Sequence, residues 1–484
     1  MDSGSFGKQY KGEDIISRMP DDVLSHIISR LEAKDVVKTS ILSTRWKNVW
    51  TLIYNLCFRD GYGGNRVTLF VNFVEFVFHR CQSNNIQNFH LWTCYELQES
   101  DAARLTDLIC FAVERNVCSL TLKFIVEGEY PMIRLPQSML TCKSLVKLSL
   151  GFWDFVLDIP DGVVCFPCLK FLSFHVYCPN SNLMQKLFRS CPILEELKIK
   201  GVYGWDGNVW TFDITKPTLK KLKIDLRATG DDDIILHRFV VRAPNLEYLH
   251  VCNFFLVCSV LGETPFLNKV ILDGKVDRRL LHGDSLTKPV SEFFRAINST
   301  RFLRLDIEIM SVSLISFNIF VMFILISHDL YGNLPSFPNL IYLHLGVGVF
   351  IGYALLVQFL DNSPNLEVLV LDKEDADSYS WDEIVSFEFE LECVPSCMLL
   401  HLKEIYLFFG EDRNLQDLDV MKCLLENSKV LERFSVNFYL SLEEQVQNLQ
   451  NFILTFPRAS PICEIDFFDD PCWGKLRSKF YKYR

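Results

Sequence analysis

Between Met19 and Trp50 the apolar residues recur three and four positions apart, the spacing of one helical face. Val23, Leu24, Ile27, Ile28 and Leu31 form such a face behind Met19-Pro20-Asp21-Asp22. Proline suits the first helical position there, and the two acids suit the positive end of the helix dipole. A break at Ala33-Lys34-Asp35 separates a second short helix with Val36, Val37, Ser40 and Ile41. Ser43 is then expected to cap a third helix carrying Trp46, Val49 and Trp50. So short a helical segment cannot enclose all of these large side chains by itself. Either the following segment covers the surplus or another protein docks on it.

Beyond Leu56 the pattern changes to a triplet: an apolar residue, another three further on, and a third two beyond that. It is clearest at Leu169/Leu172/Phe174, Leu194/Leu197/Ile199, Leu219/Leu222/Ile224, Leu246/Leu249/Val251, Leu340/Leu343/Leu345 and Leu366/Leu369/Leu371. Weaker copies start at Ile86, Val117, Leu145, Leu267, Phe302, Leu402 and Leu431. Seven of the eighteen prolines stand two residues before a triplet: Pro167, Pro192, Pro217, Pro244, Pro265, Pro338 and Pro364. From Leu145 to Leu246 the steps are 24, 25, 25 and 27 residues, a structural period. The last two apolar positions alternate as a short strand with one buried face, and the first packs below it. Stacked units of this kind predict a parallel sheet on the concave side, with helices or loops outside. From Val394 the pattern reads strand–helix–strand, with Leu418, Met421, Leu424 and Leu425 at helical spacing. Such a unit suits the terminal cap that an open repeat edge needs.

These residues carry a specific resemblance. Met19-Pro20, Leu24, Ile27, Leu31, Val36-Val37, Leu42-Ser43 and Trp46 stand in the register of an F-box, and Asp35 to Lys47 is similar to plant members. Met19 stands where the family usually has leucine; its volume is close, so the departure is mild. The triplets resemble irregular leucine-rich repeats that accompany plant F-boxes. Glu426-Asn427-Ser428-Lys429-Val430-Leu431 and Pro457-Arg458-Ala459-Ser460-Pro461 resemble the FBD domain that closes many such chains. The resemblance implies an α/β protein with a three-helix F-box at 14–60, leucine-rich repeats over 61–390 and an FBD domain over 391–470. Residues 1–13 and 471–484 are expected to be tails. It also implies a non-catalytic substrate receptor of an SCF-type cullin–RING ubiquitin ligase. The F-box would dock a Skp-type adaptor, and through it the cullin and the RING protein, while the repeats hold a target. The alternative is a scaffold using the same surfaces without degradation. The expected adaptor-side residues are Met19, Pro20, Leu24, Ile27, Leu31, Val36, Val37, Leu42, Trp46 and Trp50, some of them core. Residues between the last two triplet positions face the other side of the strand, so Ser173, Lys198, Lys223, His250 and His344 are expected to line the target-facing surface.

Composition narrows the function classes. The 484 residues are 49% hydrophobic and 23% charged, which excludes global disorder. A net charge of −11 argues against a non-specific nucleic-acid binder. Seventeen cysteines without regular spacing, behind a polar N-terminus, place the chain in a reducing compartment, nucleus or cytoplasm. The one Cys-x-x-Cys, Cys165 to Cys168, lacks the second pair of a four-ligand zinc site, and Asp231-Asp232-Asp233 reads as a solvated loop. No metal or cofactor is expected, and no phosphate-binding, hydrolase-elbow or kinase signature occurs.

Ile309 to His328 contains no Asp, Glu, Lys or Arg and is long enough to cross a bilayer. Four serines, a central asparagine and acidic flanks oppose that reading, and a crossing there would split the repeat array. Residues 311–332 are read instead as an apolar insertion in a repeat. A translated intron would account for its Phe, Ile, Leu, Val and Met content; sequencing the transcript across these codons decides it.

Overall fold

A computed structural model describes residues 15–59, 67–93, 99–124, 133–151, 155–156, 165–177, 181–203, 211–228, 237–252, 257–277, 287–310, 334–346, 352–373, 391, 393–409, 415–438 and 443–468. Both expected tails, the apolar insertion at 311–332 and Asp231-Asp232-Asp233 lie outside the described residues. The chain forms two compact units, residues 1–175 with 190–193, and 176–189 with 194–484.

The first unit opens with helices α1 (Ile15–Arg18), α2 (Asp21–Ile28), α3 (Ala33–Lys38) and α4 (Trp46–Val49). Pro20 lies just outside α2, and its carbonyl accepts the amide hydrogens of Val23 and Leu24 at 3.1 Å each. The expected break at Ala33-Lys34-Asp35 is instead the first turn of α3, because the chain has already turned at Ser29 to Glu32. Ser43 caps nothing: α4 starts at Trp46, with Arg45 before it. That entry is held from the side, by Arg45 Nε donating to Asp21 Oδ1 at 2.7 Å and the Arg45 guanidinium donating to the Met19 carbonyl.

Strands β1 (Asn55–Arg59), β2 (Asn88–Thr93), β3 (Ser119–Phe124), β5 (Lys147–Gly151) and β7 (Phe171–Tyr177) follow, each parallel to the next. Ile133–Arg134 (β4) and Phe155–Val156 (β6) form a separate short parallel pair. Each triplet supplies the buried side of its strand. Leu56, Phe89, Leu120, Leu148 and Leu172 stack in one register, with Phe58, Leu91, Leu122, Leu150 and Phe174 above them. Ile53/Leu56/Phe58 is therefore a repeat one turn earlier than the sequence pattern showed.

The second unit carries β8 (Glu196–Tyr203), β10 (Lys221–Ala228), β12 (Tyr248–Cys252), β14 (Lys269–Asp277), β15 (Phe302–Met310), β16 (Tyr342–Gly346), β17 (Val368–Lys373), β18 (Glu404–Phe409), β19 (Arg433–Phe438) and β20 (Glu464–Phe467). Each is again parallel to the next. Among the first four, the returns carry strands where helices or loops were expected. β9 (Thr211–Thr215), β11 (His237–Arg242) and β13 (Val257–Leu261) form a second parallel sheet. From β15 on, helices such as Gly352–Asn362, Leu415–Asn427 and Glu443–Leu454 take that place. Mixed α/β architecture with many parallel repeat strands is thus the fold.

The prolines before the triplets act in turns. Leu169 N–H donates to Phe166 O, Leu219 to Lys216, Leu246 to Ala243, Leu267 to Thr264, Leu340 to Phe337 and Leu366 to Ser363. Each closes a four-residue turn with proline second, where its fixed φ is already correct. One triplet changes register. Leu303 and Leu305 pair with Val270 and Leu272, so the repeat is Thr300/Leu303/Leu305 rather than Phe302/Leu305/Ile307. Thr300 is fully buried in a leucine position, its hydroxyl donating to Asn268 O at 2.9 Å or Phe302 O at 3.1 Å. Phe302 falls on the opposite strand face, where it stacks on Tyr342 at 4.3 Å between centroids.

Candidate docking surfaces

Ten adaptor-side residues were expected in the helical module, and burial divides them. Leu24, Val36, Trp46 and Trp50 are core, together with Ile28, Val49 and Ile53. Trp50 stacks on Phe76 of the helix Val67–Arg80, with ring centroids 6.2 Å apart. Gln82 N donates to Thr51 O at 2.8 Å, so the first repeat completes one side of the module. Met19 and Val37 are half-buried, and Pro20, Ile27, Leu31 and Leu42 are exposed. Ile16, Val23 and Ile41 are exposed as well, Ile41 at 83% and Leu42 at 64%. Val23 and Ile27 lie one turn apart on α2, and Ile41-Leu42 closes the short 3-10 turn after α3. A single apolar face read from the sequence is therefore two: Leu24 and Ile28 point inward while Val23 and Ile27 face solvent. Ile16, Val23 and Ile41 were not in the expected set; a spacing pattern gives a face its width but not its covered half.

Each unit also has a strand face opposite the leucines. In the first unit its middle row is Cys57, His90, Thr121, Ser149 and Ser173. In the second it runs Lys198, Lys223, His250, Ile271, Arg304, His344, Val370, Tyr406, Ser435 and Asp466. All five expected target-side residues lie in these rows, as strand alternation requires. Ser173, Lys198, Lys223 and His250 are partly accessible, and Lys198 pairs with Glu196 at 2.8 Å. His344 must be removed from an exposed surface: it is 3% exposed, with Asp372 at 3.8 Å. Its neighbours explain this, because Phe302, Tyr342, Val368, Val370, Tyr406 and Phe408 form a buried cluster on that same face. Strands β16 to β18 are consequently apolar on both sides and read as nearly continuous hydrophobic runs.

Beside the cluster lies a charged group. His250 Nε2 is 2.7 Å from Asp273 Oδ2 and 3.3 Å from Cys252 Sγ. Arg304 Nε stands 3.7 Å from Asp273 Oδ1, and the Arg304 guanidinium is bonded to Asp306. Burial pushes the Asp273 carboxyl up, but the His250 hydrogen bond and the charges of Arg304, His250 and Lys223 outweigh it and hold it low. Burial alone would lower Arg304, yet Asp306 and Asp273 hold it above its ordinary value.

A small helical module with uncovered apolar residues, set before stacked parallel strands with a leucine core, defines a protein-interaction chain. Comparison with known proteins shows what such a chain is similar to. The F-box domain model matches residues 16–57. The model described as FBD-associated F-box protein At5g56370, LRR repeats, matches residues 113–264. The chain is 28% identical to the FBD-associated F-box protein At5g22730 of Arabidopsis thaliana, with 94% of each chain covered. It is 28% identical to the F-box/FBD/LRR-repeat protein At1g13780, covering 94% of this chain and 98% of that one. It is 26% identical to the F-box/LRR-repeat protein At2g42730, covering 94% and 97%; both are from the same plant. An F-box and leucine-rich repeats are present in this chain, and its resemblance to plant F-box/FBD/leucine-rich-repeat proteins extends over most of its length. Among the described residues no helix is long and apolar enough to cross a membrane.

Proposed function

We propose that the chain is a non-catalytic substrate receptor of an SCF-type ubiquitin ligase, working in the nucleus or cytoplasm. The observation that carries this is the set of exposed apolar residues on the F-box, Ile16, Val23, Ile27, Leu31, Ile41 and Leu42. Such residues beside a finished core serve a partner rather than folding. The partner is a Skp-type adaptor, which links the chain to a cullin and a RING protein. The repeats over 61–390 then hold a target, in the second unit through the partly accessible face around Lys198, Lys223 and His250, while Ser173 is the corresponding position in the first. Residues 391–470 act as the FBD domain and end the array. Its strands β18, β19 and β20 continue the same parallel register, which suits a terminal repeat better than a separate fold. The receptor works by proximity, since tethering raises the effective concentration of a target lysine near the loaded ubiquitin without new chemistry.

Co-purification of the full chain with adaptor and cullin, followed by proteomics with and without proteasome inhibition, tests this reading. The receptor function requires adaptor and cullin in the complex and at least one co-purifying protein that accumulates on inhibition. Absence of the adaptor overturns it, and adaptor binding without any inhibitor-sensitive partner favours the scaffold.

A further inference from the structure

The geometry points to a zinc-class metal site built from His250, Cys252 and Asp273, a site independent of the adaptor-docking reading. Two parallel strands make it. His250 and Cys252 stand two residues apart on one face of β12, and Asp273 of β14 is the register partner of Cys252. His Nε2, Cys Sγ and an Asp carboxylate oxygen all lie within 4.8 Å of one another. In a tetrahedral site with metal–ligand bonds of about 2.0–2.3 Å, donor atoms sit roughly 3.3–3.7 Å apart. The 3.3 Å from His250 Nε2 to Cys252 Sγ already fits. The 2.7 Å from His250 Nε2 to Asp273 Oδ2 is a hydrogen bond, which must open by about 0.6–1.0 Å as the ion takes the proton's place.

Two further contacts resemble the outer shell of a metal site. Tyr248 Oη is 3.4 Å from His250 Nδ1, so the ring proton can move to Nδ1 and donate to the phenol while Nε2 turns its lone pair to the ion. Asp273 Oδ1, buried and without a hydrogen bond, keeps Arg304 Nε at 3.7 Å as an electrostatic anchor. Lys223 and Arg304, in the row of His250, oppose a cation. Arg304 is paired with Asp306, however, and Asp225 lies beside Cys252 in the row of Cys252 and Asp273. With a thiolate and a carboxylate, the three ligands neutralise a divalent ion. A nitrogen–sulfur–oxygen set selects zinc over magnesium or calcium and leaves one position for water or a partner's donor. Binding releases the Cys252 thiol proton to solvent, so affinity falls as pH falls.

Titration of the reduced full-length chain with Co²⁺, the spectroscopic stand-in for zinc, tests the site. One equivalent should give tetrahedral d–d bands in the visible and a thiolate-to-cobalt band in the near ultraviolet, both reversed by Zn²⁺. Cys252→Ser should remove the thiolate band, His250→Gln should weaken binding at least tenfold, and Cys168→Ser, a cysteine outside the cluster, should change neither. Far-UV circular dichroism establishes that each variant is folded. Failure of the wild-type chain to give the thiolate band overturns the site. Persistence of the band in folded Cys252→Ser, or equal loss in Cys168→Ser, does the same; if Cys252→Ser does not fold, unchanged binding by folded His250→Gln is sufficient to overturn it.

Discussion

Leu24 and Leu42 look alike in the sequence pattern, yet they have opposite surroundings. Leu24 is wholly buried and Leu42 is 64% exposed. Leu24→Ala should therefore cost about 2–5 kcal/mol of stability, read from the shift in the denaturant midpoint. Leu42→Asp should leave that midpoint within about 0.5 kcal/mol of wild type. Leu24→Asp is thus a test of folding and not of docking. A second residue-scale prediction concerns Lys373 and Asp417, buried and paired at 2.7 Å, with Tyr353 donating to the same carboxylate. Desolvation first, and the Asp417 charge second, push the Tyr353 hydroxyl well above its ordinary pKa, so it stays a donor. Asp417→Ala strands the lysine charge and should cost about 3–5 kcal/mol, measured by urea unfolding. Asp273 gives a pH dependence. Its folded pKa is depressed, so its contribution is present above the unfolded carboxylate range and is lost as pH falls through the folded value. Melting temperatures followed downward from neutral pH should fall less steeply for Asp273→Asn than for wild type.

At the scale of elements, the repeat was legible because each unit repeats a local physical demand. Two alternating apolar residues make one buried strand face, and a proline fits the second position of the turn beneath it. The triplet at β15 was misread because Thr300 fills a leucine site and only the backbone acceptors Asn268 O and Phe302 O reveal that its hydroxyl is satisfied there. The strands in the returns between β8 and β14 were not legible either, since no fixed spacing marks Thr211–Thr215 or Val257–Leu261. The exposed apolar residues proposed for docking were half legible: helical spacing located Val23, Ile27 and Leu31, but their exposure depends on which side the first repeat covers. His250, Cys252 and Asp273 could not be grouped at all, because a 21-residue register offset joins Cys252 to Asp273. Gly346 tests how tightly the strands are registered. A β-carbon there would lie 2.7 Å from Asp306 Oδ1 and 3.0 Å from Asp306 Cα, so Gly346→Ala should destabilise by about 1–3 kcal/mol in thermal unfolding.

For the whole molecule, the decisive property is what remains uncovered after each unit has folded. The helical module uses Trp50 to seat itself on the first repeat and leaves Ile16, Val23, Ile27, Leu31, Ile41 and Leu42 outside. Farther along the chain, the opposite strand face changes from accessible lysines to a buried aromatic cluster. A target is therefore expected to engage the face up to His250 rather than the region around His344. The most direct measurement is the affinity of the full chain for a purified Skp-type adaptor, comparing wild type with Ile41→Asp and Leu42→Asp. Each substitution should weaken binding about 30-fold or more, the loss of a buried hot-spot contact, while the melting temperature stays unchanged. Wild-type affinity in both folded variants would contradict docking through this face.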